Sequence, residues 1–156
     1  MSKFSHLNKK GEARMINVDE KEKSKRCAIA EGIVRVKSTT IKKIKKDNLP
    51  KGDLFGTARI AGIMAAKKTS ELIPLCHNLS ISSVIIEIKL VKNDIYVLGT
   101  VKCYGKTGVE MEALTAVSVS CLTIYDMLKG LDKDASITNI QLLEKSGGKS
   151  GDWKRK

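Results

Sequence analysis

Aromatic residues, prolines and long apolar runs are all scarce in this chain. Aromatic residues make up 4% of its 156 residues, and two residues are proline. The shortage of aromatic side chains leaves few platforms for the base stacking on which proteins that bind single-stranded nucleic acid depend. No apolar run approaches the roughly 18 residues needed to cross a membrane, and the N-terminus lacks the apolar core of a signal peptide. We therefore expect a cytoplasmic protein that does not bind a membrane, and the shortage of aromatic residues argues against a nucleic acid as its partner.

Four cysteines, at positions 27, 76, 103 and 121, do not form a recognisable framework. They lack the paired short spacing of zinc sites and the density of a disulfide-rich scaffold. We therefore expect reduced thiols and no metal site.

Positive charge is the most unusual feature of the composition. The chain has 29 Lys and Arg against 17 Asp and Glu, which gives a formal net charge of +12. The excess is uneven, because residues 1–51 carry 15 basic residues against 6 acidic ones. Such a distribution favours an anionic partner. A phosphorylated small molecule, a nucleic acid and a surface kept basic for solubility are all compatible with it.

The length fits a single domain over residues 1–156, long enough to bury a core of its own. Residues 1–26 are polar and rich in lysine without a sustained hydrophobic period, and they predict a basic N-terminal arm. Residues 145–156 predict a C-terminal tail rich in glycine and lysine, and residues 145–152 within it are too rich in glycine to be regular structure.

Hydrophobic periodicity predicts strands and helices between the arm and the tail. Strands are expected over residues 28–37, 81–91, 95–104 and 136–143, and helices over residues 38–46, 54–70 and within 106–130. We expect Ser38 or Thr39 to cap the first helix and the two middle strands to form a hairpin. In the second helix, Ile60, Ile63 and Met64 form one apolar face.

The order of these elements, βααββαβ, matches a ferredoxin-like α+β fold. In such a fold an antiparallel sheet carries its helices on one face, so the other face needs cover. Since apolar residues are available to both faces, we expect the second face to be buried against another subunit. The sequence thus predicts an oligomer.

Two Gly-Lys-Ser/Thr segments, at residues 105–107 and 148–150, resemble part of a phosphate-binding loop. The complete motif needs a glycine five residues before its second glycine, where this chain has Thr100 and Leu143. We therefore reject a P-loop nucleoside triphosphatase. Glycine and lysine still permit either a loop that approaches phosphate or a plain flexible tail.

Cys76 and His77 are neighbours in the sequence and suggest a nucleophilic pair. Adjacent residues of an extended chain point to opposite sides, which makes this geometry poor. A buried thiol beside a hydrogen-bonded histidine is one interpretation. A neutral imidazole that carries a proton or contacts a ligand is the other.

Charged residues occupy both ends of the predicted 106–130 helix. Glu110 and Glu112 suit the helix N-terminus, whose dipole favours negative charge, but they are also able to meet a basic group or move a proton. Asp126 and Lys129 are neighbours at i and i+3, either as a solvated ion pair or as an acid whose proton affinity the lysine sets. Glu112 and Asp126 are 14 residues apart, hence ~21 Å apart along a helix. If both serve one pocket, they must come from different subunits.

Five segments carry a resemblance to a known family. They are Lys-Gly-Asp at residues 51–53, Ala-Arg-Ile-Ala-Gly-Ile at 58–63, Leu-Ile-Pro-Leu-Cys-His at 72–77, the whole of 106–128, and Lys-Ser-Gly-Gly-Lys-Ser-Gly-Asp at 145–152. In order and spacing they resemble the motifs of the molybdenum-cofactor biosynthesis protein C family, the cyclic pyranopterin monophosphate synthases. Residues 1–50 and the hairpin match more loosely.

The resemblance implies an enzyme that converts a cyclic dihydroguanosine triphosphate into cyclic pyranopterin monophosphate and pyrophosphate. It implies a catalytic Asp126 with Lys129 beside it as an acid–base pair. The residues implied to contact the substrate are Leu75, Cys76, His77, Glu110, Met111 and Glu112, and those implied to gather the triphosphate are Arg26, Lys51 and Lys145. No cofactor is required in this account, although Mg²⁺ could accompany the triphosphate.

The resemblance also implies partners. The substrate would be made from GTP by a radical SAM cyclase, and the family is a homohexamer, a trimer of dimers with sites at the dimer interfaces. A module that binds RNA through its sheet is the alternative from another class. Tyr96 and Tyr104 fall in the third strand, but the Lys/Arg-Gly-Phe/Tyr signature of such modules is absent from the sequence.

Overall fold

The structure, a computed structural model, describes residues 6–8, 10–46, 49–149 and 151–156. In chain order its elements are β1 (Ser24–Arg35), α1 (Ser38–Lys45), α2 (Leu54–Lys67), α3 (Thr69–Leu72), β2 (Ile81–Val91), β3 (Asp94–Gly105), α4 (Glu110–Leu128), β4 (Ser136–Ser146) and β5 (Trp153–Lys154). The predicted α+β class is confirmed. The short α3 and β5 are additions to the predicted order.

The strands form one antiparallel sheet of five strands in the order β2-β3-β1-β4-β5. At its centre, β1 pairs with β3 along its whole length and with β4 on its other side. The predicted hairpin of β2 and β3 is confirmed, and its turn includes Lys92 at a φ of 54°. Because β1 lies between β3 and β4, chain segments that are far apart in the sequence meet at the middle of the sheet.

Glycines in the sheet allow α4 to pack very close to it. α4 packs on β1, β3 and β4, while α2 lies beside α4 and packs on β2. A Cβ atom at Gly99 of β3 or at Gly32 of β1 would come within 2.7 Å of a Val117 methyl carbon on α4. Alternate β3 residues face these helices and are buried, namely Ile95, Val97, Val101 and Cys103. The core therefore lies between one face of the sheet and the two long helices.

Small residues also hold α2 against α4. Ala58 and Gly62 of α2 are buried, and the Ser120 hydroxyl of α4 donates a hydrogen bond to the Ala58 carbonyl at 3.0 Å. Of the predicted apolar face of α2, Ile60 and Met64 are turned outward, at 57% and 54% exposed, whereas Ile63 packs against the core. Glycine and alanine allow the two helix backbones to approach, so the larger side chains are left on the opposite side of α2.

The cap of α1 differs from the prediction. Its N-cap is Lys37, so Ser38 and Thr39 lie inside the helix rather than capping it. The carboxylate of Asp132, from the turn after α4, accepts hydrogen bonds from the Lys37 N–H at 2.7 Å and from the Thr40 hydroxyl at 3.0 Å. Asp132 is 1% exposed. A carboxylate from a distant turn thus satisfies the start of α1, where a local cap was expected.

The predicted arm and tail are both partly regular structure. β1 begins at Ser24, inside the predicted arm, because this part of the chain pairs with β3. β4 extends to Ser146, and Trp153–Lys154 returns beside it as β5. The prediction of irregular structure over residues 145–152 is therefore wrong for its first two residues. Residues 1–5 and 9 of the arm and Ser150 of the second Gly-Lys-Ser segment lie outside the described residues.

The sheet face that points away from the helices carries mixed side chains. Ile85 on this face is 49% exposed, while the Gln141 amide donates to the Glu31 carboxylate at 2.6 Å. Burial of this face against another subunit stays a prediction. Among the described residues, α4 is long and apolar enough to cross a bilayer, but half of this stretch is buried inside the fold.

Candidate active site

The predicted site residues fall into two groups at opposite ends of α4. The helix is continuous over Glu110–Leu128. Glu112 and Asp126 therefore lie 14 residues apart, or ~21 Å at the α-helical rise. Within one chain, no single small molecule can contact both carboxylates.

Asp126, at the C-terminal end of α4, lies between two lysines. Its carboxylate is 2.7 Å from the Lys129 ammonium one helical turn away and 2.6 Å from the Lys51 ammonium. Lys51 also donates to the Asp126 backbone carbonyl at 3.0 Å. Lys51 precedes α2, whose first turn is fixed by the Asp53 side chain accepting from the Gly56 N–H at 2.8 Å. The sequence indicated only the Asp126–Lys129 pair, because Lys51 is remote from both in the chain.

These contacts fix the charge state of Asp126. Hydrogen bonds from Lys129 and then Lys51 lower the pKa of Asp126 to about 2. The bond with Asp126 in turn raises the pKa of Lys129. At neutral pH the group is thus a carboxylate held between two ammonium ions. It is able to accept a proton, but only weakly while both cations remain in place.

At the N-terminal end of α4, a cavity of about 950 Å³ lies between the start of β1, the start of α4 and the end of β4. The predicted substrate-contact residues 75–77, 111 and 112 are not among its lining residues. Arg26, Glu110 and Lys145 line it, as the sequence predicted for one site. The Lys145 ammonium is 3.0 Å from a Glu110 carboxylate oxygen. Four further lysines line the same cavity, Lys21, Lys23, Lys106 and Lys149. The sequence named none of them as site residues, although two lie in the Gly-Lys-Ser/Thr segments.

Glu112 is enclosed beside two thiols. It is 4% exposed, and burial, with a contribution from the neighbouring Glu110 charge, raises the pKa of its carboxyl. Burial first, and the Glu112 charge second, raise the pKa of Cys76 and of Cys103. Both cysteines are therefore protonated thiols at neutral pH, which makes a thiolate nucleophile at this position unfavourable.

His77 is hydrogen bonded to the N-terminal arm. Its Nε2 lies 2.8 Å from the backbone carbonyl of Ile16. Since a carbonyl only accepts, Nε2 is the donor in this contact, and Nδ1 has no part in it. Nearby along the arm, the Lys106 ammonium donates to the Asp19 carbonyl at 2.7 Å. The arm thus crosses the same end of the molecule as the cavity.

The remaining predicted residues are at the surface. Leu75 is 38% exposed and Met111, in the first turn of α4, is 37% exposed. Among the residues that the structure describes, no group of three or more His, Cys, Asp or Glu side chains is arranged to hold a metal ion. Besides the lysine and arginine cations, the ionisable groups at the two ends of α4 include three carboxyl groups, two thiols and one imidazole, those of Glu110, Glu112, Asp126, Cys76, Cys103 and His77.

Comparison of the sequence with known proteins shows which family the chain belongs to. Residues 15–148 match the MoaC family, a range that contains every predicted site residue. The chain belongs to the MoaC family. It is 52% identical over 153 residues to a Brucella ovis protein named cyclic pyranopterin monophosphate synthase, covering 97% of this chain and 93% of that protein. It is 53% identical over 154 residues to a Novosphingobium aromaticivorans protein of the same name, covering 99% and 98%.

MoaC family membership agrees with the family resemblance of the motifs. The match extends from the arm to the glycine-rich segment that follows β4. Both ends of α4 and the cavity beside its N-terminus therefore lie within the family's own sequence range.

Proposed function

We propose that this chain is a cyclic pyranopterin monophosphate synthase, a lyase of molybdenum cofactor biosynthesis. It converts (8S)-3',8-cyclo-7,8-dihydroguanosine 5'-triphosphate into cyclic pyranopterin monophosphate and pyrophosphate. The observation that carries the proposal is the identity of 52–53%, over nearly the whole chain, to proteins of that name. The lysine-lined cavity supports it, because a triphosphate needs several cations around it.

Asp126 is proposed as the catalytic base, with Lys129 as the acid that faces it. Ring rearrangement and cyclic phosphate closure both require proton transfers. A substrate phosphate that attracts Lys51 would remove one of the two cations that lower the Asp126 pKa. Asp126 would then become a stronger base when the substrate is bound, which couples proton transfer to phosphate binding.

The residues around the N-terminus of α4 are proposed to bind the substrate. Lys145 and Arg26 bring positive charge to the cavity, and Lys51 does so at the other end of the helix. Direct contacts are proposed for Leu75, Cys76, His77, Glu110, Met111 and Glu112. His77 would contact the substrate through Nδ1, because Nε2 is bonded to the Ile16 carbonyl of the arm. If the arm moved away, both ring nitrogens would be free to contact it.

A complete site is proposed to form between two subunits. The two ends of α4 in one chain are too far apart for one substrate, so a second chain has to supply the other group. We propose a homohexamer, a trimer of dimers, of single-domain subunits with a ferredoxin-like arrangement. The antiparallel strand order and the two long helices on one face support that arrangement. The exposed Ile60, Met64 and Leu122 on the helices supply apolar surface for assembly.

The proposed reaction also implies where the substrate comes from, in which compartment the enzyme acts and which ions it needs. A radical SAM GTP 3',8-cyclase is proposed to supply the substrate, and both enzymes would act in the cytoplasm. No resident cofactor is proposed, and Mg²⁺ would arrive with the triphosphate.

The test is to incubate the purified protein with freshly made cyclic dihydroguanosine triphosphate. Pyrophosphate release and the fluorescence of the oxidised pterin product are measured together. Both signals should rise in proportion to protein concentration. A folded, assembled protein that gives neither signal would refute the proposed function.

A further inference from the structure

Arg26 uses its guanidinium group on the protein's own backbone. Its Nη1 donates to the Gly147 carbonyl at 3.0 Å, its Nε to the Gly105 carbonyl at 3.4 Å, and its Nη2 to the Lys106 carbonyl at 3.4 Å. Gly105 is the last residue of β3 and Lys106 follows it, whereas Gly147 follows β4. One side chain on β1 therefore joins two segments that are separate in the sequence.

The two glycines after β4, Gly147 and Gly148, lie very close to Arg26 and to the backbone before it. A Cβ atom at Gly148 would lie 1.6 Å from Arg26 Nη1, and one at Gly147 would lie 2.1 Å from the Lys25 carbonyl oxygen. Both glycines have positive φ, +94° at Gly147 and +81° at Gly148. Glycine is thus required at both positions by the backbone conformation. It is also required by space, which the Lys25 carbonyl takes at Gly147 and the guanidinium takes at Gly148.

Both joined segments carry lysines of the cavity. Lys106 belongs to the first segment, residues 105–108. Lys149 belongs to the second, residues 147–149, and Lys145 lies two residues before it. Ammonium groups on long flexible stems are poorly placed unless their backbones are fixed. The planar guanidinium donates to several acceptors at once, which a lysine ammonium at the same position cannot reproduce.

We propose that Arg26 is a positioning residue that clamps residues 105–108 to residues 147–149 and so sets the spacing of the cavity lysines for a polyphosphate. Its main role is this clamp, and direct phosphate contact is secondary. The polyphosphate as ligand rests on the proposed function, whereas the clamp itself does not.

Hydrogen–deuterium exchange of the unliganded protein tests the clamp. Arg26→Lys keeps the positive charge but loses the guanidinium group that donates the three hydrogen bonds. The neighbouring Lys25→Gln loses a positive charge but leaves the Arg26 guanidinium in place. Arg26→Lys should speed amide exchange in residues 105–108 and 147–149 by about tenfold, and Lys25→Gln should not. Wild-type exchange in both segments of a folded Arg26→Lys protein would overturn the proposal.

A second pair of variants leaves Arg26 in place. Gly148→Ala puts a methyl group where the guanidinium lies, while Gly151→Ala meets no atom within 4 Å, and both residues have positive φ. Backbone strain is therefore matched, and only Gly148→Ala should loosen residues 105–108. Equal exchange of residues 105–108 in the two glycine variants would also overturn the clamp.

Binding and turnover separate a clamp from a direct ligand. Inorganic pyrophosphate is titrated by calorimetry, where Arg26→Lys and Gly148→Ala should each raise Kd by about tenfold. In turnover both should raise KM more than they lower kcat. If Arg26 acts chiefly as a direct ligand, Gly148→Ala will bind pyrophosphate like the wild type, which contradicts the proposal. A wild-type protein without synthase activity would refute the proposed function, yet the exchange results would still decide the clamp.

Discussion

Asp126 holds its charge at the protein surface with two lysines as its only described ion-pair partners. Its carboxylate is about half exposed, so solvent screens both interactions and their contribution to folding is small. Their effect on protonation is large by comparison, because each cation favours the ionised carboxylate directly. The two lysines thus affect the protonation of Asp126 more than they affect the stability of the fold.

Replacing Lys129 by methionine should raise the pKa of Asp126 from about 2 toward its ordinary value of 3.8, because the largest contribution that lowers it is lost. Carbon-13 NMR titration of the carboxyl group measures this change. Lys133→Met is the matched control, because Lys133 is an exposed lysine soon after the same helix. An Asp126 pKa that stays near 2 in Lys129→Met would contradict the assigned ion pair.

The sign of the accompanying pH effect follows from the depressed pKa. A carboxyl group with a lowered pKa in the folded state stabilises the fold above its unfolded value, about pH 4, and loses that contribution as the pH falls toward 2. The melting-temperature difference between wild type and Lys129→Met should therefore shrink between pH 4 and pH 2.

At the scale of elements, local patterns in the sequence predicted most of the fold. The hairpin and the long helix were predictable because their apolar residues recur at the periods of a strand and a helix. The outward face of α2 was not, because hydrophobic periodicity cannot show that Gly62 and Ala58 approach α4 more closely than Ile60 does. β5 was too short to leave a pattern.

The candidate site also contains residues that a local sequence pattern predicted and residues that it did not. Asp126, Lys129 and the glutamates stood out because they lie at the ends of one apolar helix. Lys51 and Lys106 were not linked to their partners, because each contact joins positions that are distant in the sequence. Long-range hydrogen bonds leave no periodic signal within a single chain.

Gly62→Ala should lower the free energy of unfolding by about 1–3 kcal/mol, because the added methyl group overpacks the interface between α2 and α4. The new Cβ would lie 2.2 Å from Ser120 Oγ and 2.9 Å from the Ala116 carbonyl oxygen. Urea unfolding measures the change. Gly130→Ala, with no atom within 4 Å of the new methyl group, is the control and should be close to neutral. Equal stability of the two variants would disprove the close packing.

Asp132→Ala should destabilise the protein by about 2 kcal/mol, because it leaves the start of α1 without its cap. Burial tends to raise the pKa of Asp132, but hydrogen bonds from Lys37, Thr40 and Asp134 outweigh it and lower the pKa. The stabilisation is therefore present above about pH 4 and lost at lower pH. Thermal unfolding at pH 7 and pH 3 tests both statements, with the exposed Asp134→Ala as control. A loss that is the same at both pH values would argue against the carboxylate as the cap.

At the scale of the whole molecule, the length of α4 separates Asp126 and Lys129 from the cavity. Under the proposed function, a monomer would therefore contain two incomplete sites, one at each end of the helix. Association of two chains would then be a condition for catalysis, with the basic charge of both chains arranged around a shared site.

Mixing two inactive variants tests this arrangement. Asp126→Asn and Lys145→Met should each fold and assemble but lose turnover, because each lacks one half of every site. After unfolding and refolding together at equal amounts, dimers with one chain of each kind contain one intact site. The mixture should recover about a quarter of wild-type activity. Recovery of no activity, although mixed oligomers form by native mass spectrometry, would place both groups in one chain's site.

The position of β1 in the sheet also affects how the chain is made. β1 is the first strand to leave the ribosome, but its end at Arg35 pairs with Asp94, 59 residues later, and its other neighbour, β4, ends only at Ser146. Until both are synthesised, the apolar residues of β1 have no partner strand. Such non-local pairing slows folding and exposes apolar surface meanwhile. We therefore expect nascent chains of this protein to bind chaperones that recognise extended apolar segments, even though β1 is paired on both sides in the finished fold.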